Sequence, residues 1–169
     1  VQLLSVSKTF GADAVREAVL AGERSFGENY IQEGVEKIAA VRAMGRVIEG
    51  RDGETFGHTD RVTTLAGQLG QALALAPEQL QHLRWGAYLH DIGKVTVPDA
   101  LLLKAGPLTP DERTVMQAHV IMGDHMLRDE IFVPREVRAV VRSHHERWDG
   151  TGYPDGLAGE DIPLLARIF

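Results

Sequence analysis

The sequence predicts a mainly α-helical domain that follows a short β-α-β-α segment. From about Gly45 onward, apolar residues recur at helical spacing and the signals typical of strands stop. The chain has 169 residues, 44% of them apolar, which is enough to bury one core. Five of its seven histidines fall in a few small motifs within the helical part. We therefore expect a partial α/β segment over residues 1–44 and a helical bundle over residues 45–169.

The first 44 residues alternate between strand and helix patterns. We expect strands at residues 3–6 and 24–30 and helices at residues 12–20 and 35–44. Parallel strands joined by helices require further strands to complete a sheet. This segment is therefore predicted to be an incomplete unit.

The helical part contains four longer predicted helices and a loop. Thr109 and Glu112 form a capping box with Pro110 at the first helical position. Gly93 is expected to end the second helix. In the first helix, Leu65 and Leu69 belong to an apolar stripe with Val62 and Leu73, and in the last one three valines face inward. The predicted helices are residues 61–75, 77–92, 109–127 and a helix starting at 134; the loop is residues 148–156.

Composition and charge exclude several classes of protein. The chain carries 24 acidic and 18 basic residues, a net charge of −6, which argues against a protein that binds DNA or RNA polymers. It has no cysteine, which excludes disulfides, iron–sulfur clusters and a cysteine nucleophile. No apolar run approaches the roughly 20 residues that span a bilayer, and the start lacks the pattern of a signal peptide. We expect a cytoplasmic protein.

Histidines and carboxylates lie at or near the inward stripes of four predicted helices. One such histidine is more often a hydrogen-bonded core residue, but a whole set entering one core is best satisfied by metal ions. Imidazole and carboxylate ligands without thiolate point to iron, manganese, zinc or magnesium rather than copper(I) or structural zinc. We expect iron or manganese as the occupants, with nickel as a further alternative to zinc and magnesium. Seven ligands imply two or more ions, and we expect no metal role for the other two histidines, His82 and His125. The predicted ligands are Glu54, His58, His90, Asp91, His119, His144 and His145.

Three motifs in this order resemble the HD-GYP family of cyclic di-GMP phosphodiesterases. They are HDIGK at residues 90–94, HHE at 144–146 and Gly152-Tyr153-Pro154. The resemblance covers residues 45–169 and implies the same seven metal ligands, with Glu54 associated with a third metal ion. It also implies catalytic roles for Asp91 and Lys94, and a substrate site formed by Lys94 with Gly152, Tyr153 and Pro154.

The expected reaction is hydrolysis of cyclic di-GMP to linear pGpG or GMP in bacterial second-messenger signalling. The family has another metal-binding aspartate and phosphate-binding basic residues, which we expect to fall after Phe169, making the domain C-terminally truncated. Two alternatives remain open at this stage. The domain could be an inactive signalling module that acts through contacts with protein partners, or another phosphohydrolase of the HD superfamily. In either case it could form a homodimer.

The first segment has a resemblance of its own. LLSVSKTF, followed by FGENYIQEGVEKI, is similar to the start of the pyridoxal-phosphate homeostasis proteins, which have a barrel fold. The resemblance implies that Lys8 would form the Schiff base with the cofactor. A complete barrel needs about 250 residues, so we expect this segment not to bind pyridoxal phosphate.

Overall fold

A computed structural model describes Ala43, residues 57–130 and residues 133–169. The chain divides into two units between Ala39 and Ala40, and every described residue belongs to the second unit. Apart from Ala43, which is helical, the predicted β-α-β-α segment lies outside the described residues, and so do Lys8 and Glu54.

The described part of the chain is helical, which confirms the predicted fold class. Its extended pairing is limited to one antiparallel bridge between Asp149 and Ala158. Across these residues, every helix is too short or too polar to span a bilayer. The α-helices are α1 (His58–Ala72), α2 (Pro77–Leu89), α3 (Asp99–Leu102), α4 (Pro110–Gln117), α5 (His119–Arg128), α6 (Arg135–Ser143) and α7 (Leu164–Ile168), with 3₁₀ turns at Ile92–Thr96 and Gly159–Asp161.

Helices α2 and α6 form the centre of the core. They approach closely because Gly86 of α2 has no side chain, and a Cβ atom there would lie 2.6 Å from the Cβ of Val140. One group of buried residues lies on each side of this contact. The first is Leu89, Ile92, Leu127, Val133, Val137 and Val141, and the second is Ala66, Leu83, Ala87, Val140 and Leu165. The predicted inward valines of α6 are thus confirmed as core residues.

The predicted apolar stripe of α1 does not face the core. Leu65 and Leu69 are exposed, as is Leu73, and the buried face of this helix is formed by Ala66, Gly67 and Gly70. Small residues occupy this face because α2 lies very close to it. A Cβ atom at Gly70 would come within 2.9 Å of the Leu83 side chain.

The predicted helix over residues 109–127 is two helices. The capping box of Thr109 and Glu112 is present at the start of α4, as predicted. Ala118 then ends α4 and precedes α5. Val115 and Met122 lie at helical spacing from His119, yet both are exposed while His119 is 2% exposed. One helical face therefore does not continue through the break at Ala118.

Candidate metal centre

Three predicted ligands occupy equivalent places at the ends of helices. His90 directly follows α2, and His144 directly follows α6. His119 directly follows Ala118, the residue that caps the carboxyl end of α4. The Nδ1 atom of each lies within hydrogen-bond distance of the backbone carbonyl three residues earlier. These distances are 2.7 Å to Ala87, 2.7 Å to Met116 and 2.9 Å to Val141. Carbonyls in the last turn of a helix lack helical partners, so each histidine satisfies one of them.

This pattern determines which ring nitrogen carries the proton. A carbonyl oxygen only accepts hydrogen bonds, so Nδ1 of each neutral ring must be the protonated nitrogen. The other nitrogen, Nε2, is then left with a lone pair. Metal-binding histidines show the same arrangement, with one nitrogen oriented by a hydrogen bond and the other free to coordinate.

The three Nε2 atoms converge on the carboxylate of Asp91. His119 lies 3.2 Å and His144 3.7 Å from Oδ1, and His90 lies 3.1 Å from Oδ2. The Nε2 atoms of His119 and His144 are themselves 3.5 Å apart. Oxygen and nitrogen lone pairs therefore face one another across a small buried volume.

A cation fits this arrangement better than any hydrogen-bond network. The Oδ1 atom of Asp91 is buried and accepts no hydrogen bond, which is costly for a charged oxygen. One ligand atom from each of four residues lies within 4.8 Å of the others: Asp91, His119, His144 and His145. This donor set is typical of a divalent metal site. The carboxyl ends of α2 and α6 add their negative dipole ends nearby, which also favours a cation.

The electrostatics of the cluster keep Asp91 ionised. Burial opposes ionisation of Asp91, but the imidazoles of His119, His144 and His90 hold its pKa well below its usual range when their Nε2 atoms carry a proton. A cation bound between them would lower it in the same way. Burial lowers the pKa of His144. Burial and the neighbouring imidazoles His144 and His119 lower the pKa of His145 to about 3. The pKa of His90, in contrast, is raised by Asp91 against the effect of burial. Metal coordination requires neutral imidazoles and an ionised carboxylate, and the downward shifts at Asp91, His144 and His145 favour these forms.

Lys94 lies on the other side of the same carboxylate. Its Nζ is 2.7 Å from Oδ2 of Asp91, and its side chain is largely buried. Lys94 belongs to the 3₁₀ turn Ile92–Thr96, which begins directly after Asp91, and its backbone N–H donates to the carbonyl of Asp91 at 2.9 Å. The ammonium group therefore borders the cluster without supplying a lone pair to it.

The predicted Gly-Tyr-Pro loop closes over one side of the cluster. The ring of Tyr153 stacks on His145, with centroids 4.6 Å apart and planes inclined by 22°. The same ring lies edge-on to His119 at 6.5 Å. Burial and the charge of Asp91 raise the pKa of Tyr153 to about 12, so its hydroxyl stays protonated at neutral pH.

Gly152 allows the loop to touch the segment that carries the histidine pair. A Cβ atom at Gly152 would lie 2.4 Å from the backbone nitrogen of Arg147 and 2.5 Å from Cα of Glu146. The backbone N–H of Tyr153 donates to the carbonyl of His145 at 3.2 Å. Tyr153 and Pro154 are joined by a cis peptide bond.

His58 is the remaining predicted ligand that the structure describes. His58 begins α1, and its ring lies 6.5 Å from that of His90. Gly57, in a left-handed conformation, directly precedes α1, and Glu54 lies outside the described residues. His82 and His125, expected to have no metal role, are absent from the group of four residues described above.

Sequence reasoning missed three residues around the site. The ring of Phe169 lies 5.0 Å from that of His90 and covers one side of it. Glu146 and Arg142 hold the Gly-Tyr-Pro loop through hydrogen bonds. The sequence marks Glu146 only by its place in the HHE motif. Its hydrogen-bond partners, Asp155 and Leu157, lie nine and eleven residues further along the chain.

Buried histidines surround one aspartate in a helical domain, and this arrangement places the protein in the class of HD-type proteins with a metal site. The family model described as "HD domain" matches residues 42–169. The chain therefore belongs to the HD domain family, and the predicted membership is confirmed. A solved structure, Bd1817, an HDG"Y"P protein from Bdellovibrio bacteriovorus, is similar with a TM-score of 0.55 and 32% identity, covering 63% of this chain and 35% of that one.

Curated relatives are similar over the same region. The chain is 44% identical to the cyclic di-GMP phosphodiesterase response regulator RpfG of Xanthomonas campestris pv. campestris, over 74% of this chain and 33% of that protein. It is 40% identical to a cyclic di-GMP phosphodiesterase of Thermotoga maritima, over 76% and 35%. It is 36% identical to 3'3'-cGAMP-specific phosphodiesterase 2 of Vibrio cholerae, over 76% and 25%. The chain spans about a third or less of the length of these relatives.

Proposed function

We propose that this domain is a metal-dependent phosphodiesterase that hydrolyses a cyclic dinucleotide, cyclic di-GMP, to linear pGpG or GMP. The observation that carries the proposal is the convergence of the lone pairs of His90, His119 and His144 on the two oxygens of Asp91. The names of the relatives from Xanthomonas and Thermotoga support the substrate class.

The two oxygens of Asp91 suggest two ion positions. Oδ1 faces His119 and His144, with His145 beside them, and Oδ2 faces His90, whose ring lies 6.5 Å from that of His58. A carboxylate that bridges two ions would satisfy both sides. We propose iron or manganese as occupants because the donors are imidazole and carboxylate, and a third ion would depend on Glu54. Divalent ions held there supply a nucleophile from water at neutral pH and withdraw charge from the phosphoryl group.

Two residues of the chain are placed to act on the substrate rather than on the ions. Lys94 repels cations but attracts a phosphoryl group whose negative charge grows in the transition state. Tyr153 presents an aromatic face and a protonated hydroxyl beside His145. The hydroxyl can donate to a phosphate oxygen, and the ring can contact a base. Gly152 and Pro154 contribute by holding the tyrosine at this position.

The direct test is hydrolysis by metal-loaded protein. We expect protein loaded with manganese or iron under anaerobic conditions to convert cyclic di-GMP to a linear product, measured by liquid chromatography. Chelation should abolish the reaction and metal should restore it. The same assay with 3'3'-cGAMP, the substrate in the name of the Vibrio relative, determines the preference between the two dinucleotides. Stoichiometric metal with no turnover of either dinucleotide would contradict the proposal and favour a signalling module.

A Lys94→Ala variant separates chemistry from metal binding. We expect it to keep its full metal content but to lose about a hundredfold or more in turnover, the scale observed when one electrostatic stabiliser is removed. Elemental analysis and steady-state kinetics measure the two quantities. Lys104→Ala is the matched control, because Lys104 pairs with Glu112 away from the cluster. Near-normal turnover by metal-replete Lys94→Ala protein would show that Lys94 is not catalytic.

A further inference from the structure

We propose that Glu146 is a positioning residue that fixes the ring of Tyr153 against His145, with the Arg142–Asp155 ion pair as a second anchor. Only the kinetic part of this inference rests on the proposed phosphodiesterase function. The positioning itself concerns the geometry of the loop and is measurable without substrate.

Glu146 ties together the two ends of the loop. It follows His145 directly in the sequence, and its two carboxylate oxygens accept hydrogen bonds from the far end of the loop. Oε1 accepts from the backbone N–H of Asp155 at 2.8 Å, and Oε2 accepts from that of Leu157 at 3.0 Å. Between these two donors lies Gly156 in a left-handed conformation. The Glu146 side chain therefore hydrogen-bonds to both sides of a tight turn and connects this turn to His144 and His145.

The Arg142–Asp155 pair anchors the same turn to α6. The guanidinium donates from Nε and Nη2 to the two oxygens of Asp155, both at 2.7 Å. This bidentate geometry fixes direction as well as distance. Arg142 also lies 3.8 Å from Asp124, a buried carboxylate on α5 that contacts Arg128 at 3.1 Å. The network therefore links the helix that begins with His119 to the loop that carries Tyr153.

The loop has little freedom to move while these anchors are intact. Gly152 already contacts the backbone of Glu146 and Arg147, so the chain before Tyr153 has no space to approach further. The turn that Glu146 holds begins directly after Pro154. With the chain held on both sides of Tyr153, the stacking distance to His145 is determined by the anchors. Loosening the turn is expected to let the ring leave His145.

Glu146→Gln tests this position with a minimal change. One carboxylate oxygen becomes an NH₂ group that faces an N–H donor, so one of the two hydrogen bonds is lost. We expect the His145 ring protons in the NMR spectrum of the metal-free protein to shift towards their positions in Tyr153→Leu, because the ring current of the stacked tyrosine is lost. His145→Gln assigns these signals. Glu160→Gln, at an exposed glutamate, is the matched control and should leave them unchanged.

The kinetic readout distinguishes positioning from a general structural role. Because the loop borders the substrate and supplies no ligand, Glu146→Gln should keep its metal content and raise KM at least about tenfold, the effect of losing one hydrogen bond to a charged group. The change in kcat should be smaller. If Glu146→Gln fails to fold, Asp155→Asn tests the second anchor of the same turn, with exposed Asp161→Asn as its control.

Two results would overturn the inference. The first is wild-type positions of the His145 ring signals in folded Glu146→Gln and Asp155→Asn proteins. The second is a loss of metal in step with activity, which would make Glu146 part of the metal site. If wild-type protein hydrolyses no cyclic dinucleotide while the ring signals shift as expected, the proposed function fails and the positioning role stands.

Discussion

An Asp91→Ala protein is expected to lose bound metal and hydrolysis together. Asp91 is the residue on which His90, His119 and His144 converge, and its two oxygens face different sides of the cluster. Removing it takes away the negative charge that balances the ions and the group that would be shared between them. We expect elemental analysis to show metal at background level and turnover to fall below detection.

The control for Asp91→Ala is a histidine variant outside the cluster. His125→Ala removes an exposed imidazole on α5 and should retain both metal and turnover. Asp91→Ala protein with full metal content would show that the carboxylate is not a ligand. Full metal with lost turnover would place Asp91 in the chemistry alone, and the bridging arrangement would then be wrong.

Gly93→Ala is expected to be the most destabilising small change in the domain. A Cβ atom at Gly93 would lie 1.8 Å from the carbonyl oxygen of His119 and 2.6 Å from the backbone nitrogen of Gly123. Both neighbours are main-chain atoms, so no side chain can rotate away, and the 3₁₀ turn must separate from α5. We expect a loss of at least about 3 kcal/mol in the free energy of unfolding, the upper end for overpacking in a core.

Gly106→Ala is the matched control for this change. No atom lies within 4 Å of a Cβ atom at Gly106, so its effect should stay within about 0.5 kcal/mol, as for most surface changes. Urea denaturation of the metal-free proteins measures both variants without the added stability that bound metal gives to the folded state. A Gly93→Ala protein as stable as Gly106→Ala would mean that the turn and α5 are not in tight contact.

The sequence was informative wherever one segment could be read by itself. The Thr109 capping box, the start of α2 at Pro77 and the inward valines of α6 depend on neighbours within a few residues, and the structure has all of them. His90, Asp91, His119 and His144 belong to motifs at the ends of helices that are far apart in the sequence. Their grouping could be expected because so many buried polar groups need a common partner.

The sequence was misleading where packing between helices decided the outcome. The leucines of α1 have the periodicity of a core face, yet Gly67 and Gly70 face the core because α2 approaches closely. Hydrophobicity scales favour leucine, whereas close helix contacts favour glycine. The break at Ala118 was equally hidden, because a helix pattern continues through it. Glu146 could not be assigned a role because its partners become neighbours only once the loop has folded back.

The way the three histidines are oriented has a consequence for redesign of the site. Their Nδ1 atoms donate to the main-chain carbonyls of Ala87, Met116 and Val141, whereas many metal sites use a carboxylate side chain for this purpose. Every amino acid supplies the same carbonyl, so exchanging these three residues for others of similar volume leaves the acceptor in place. The side chains that precede the ligands can thus be varied while the three imidazoles keep their orientation. Natural substitutions near the helix ends should likewise leave the orientation of the histidines unchanged, as long as the helices end at the same residues.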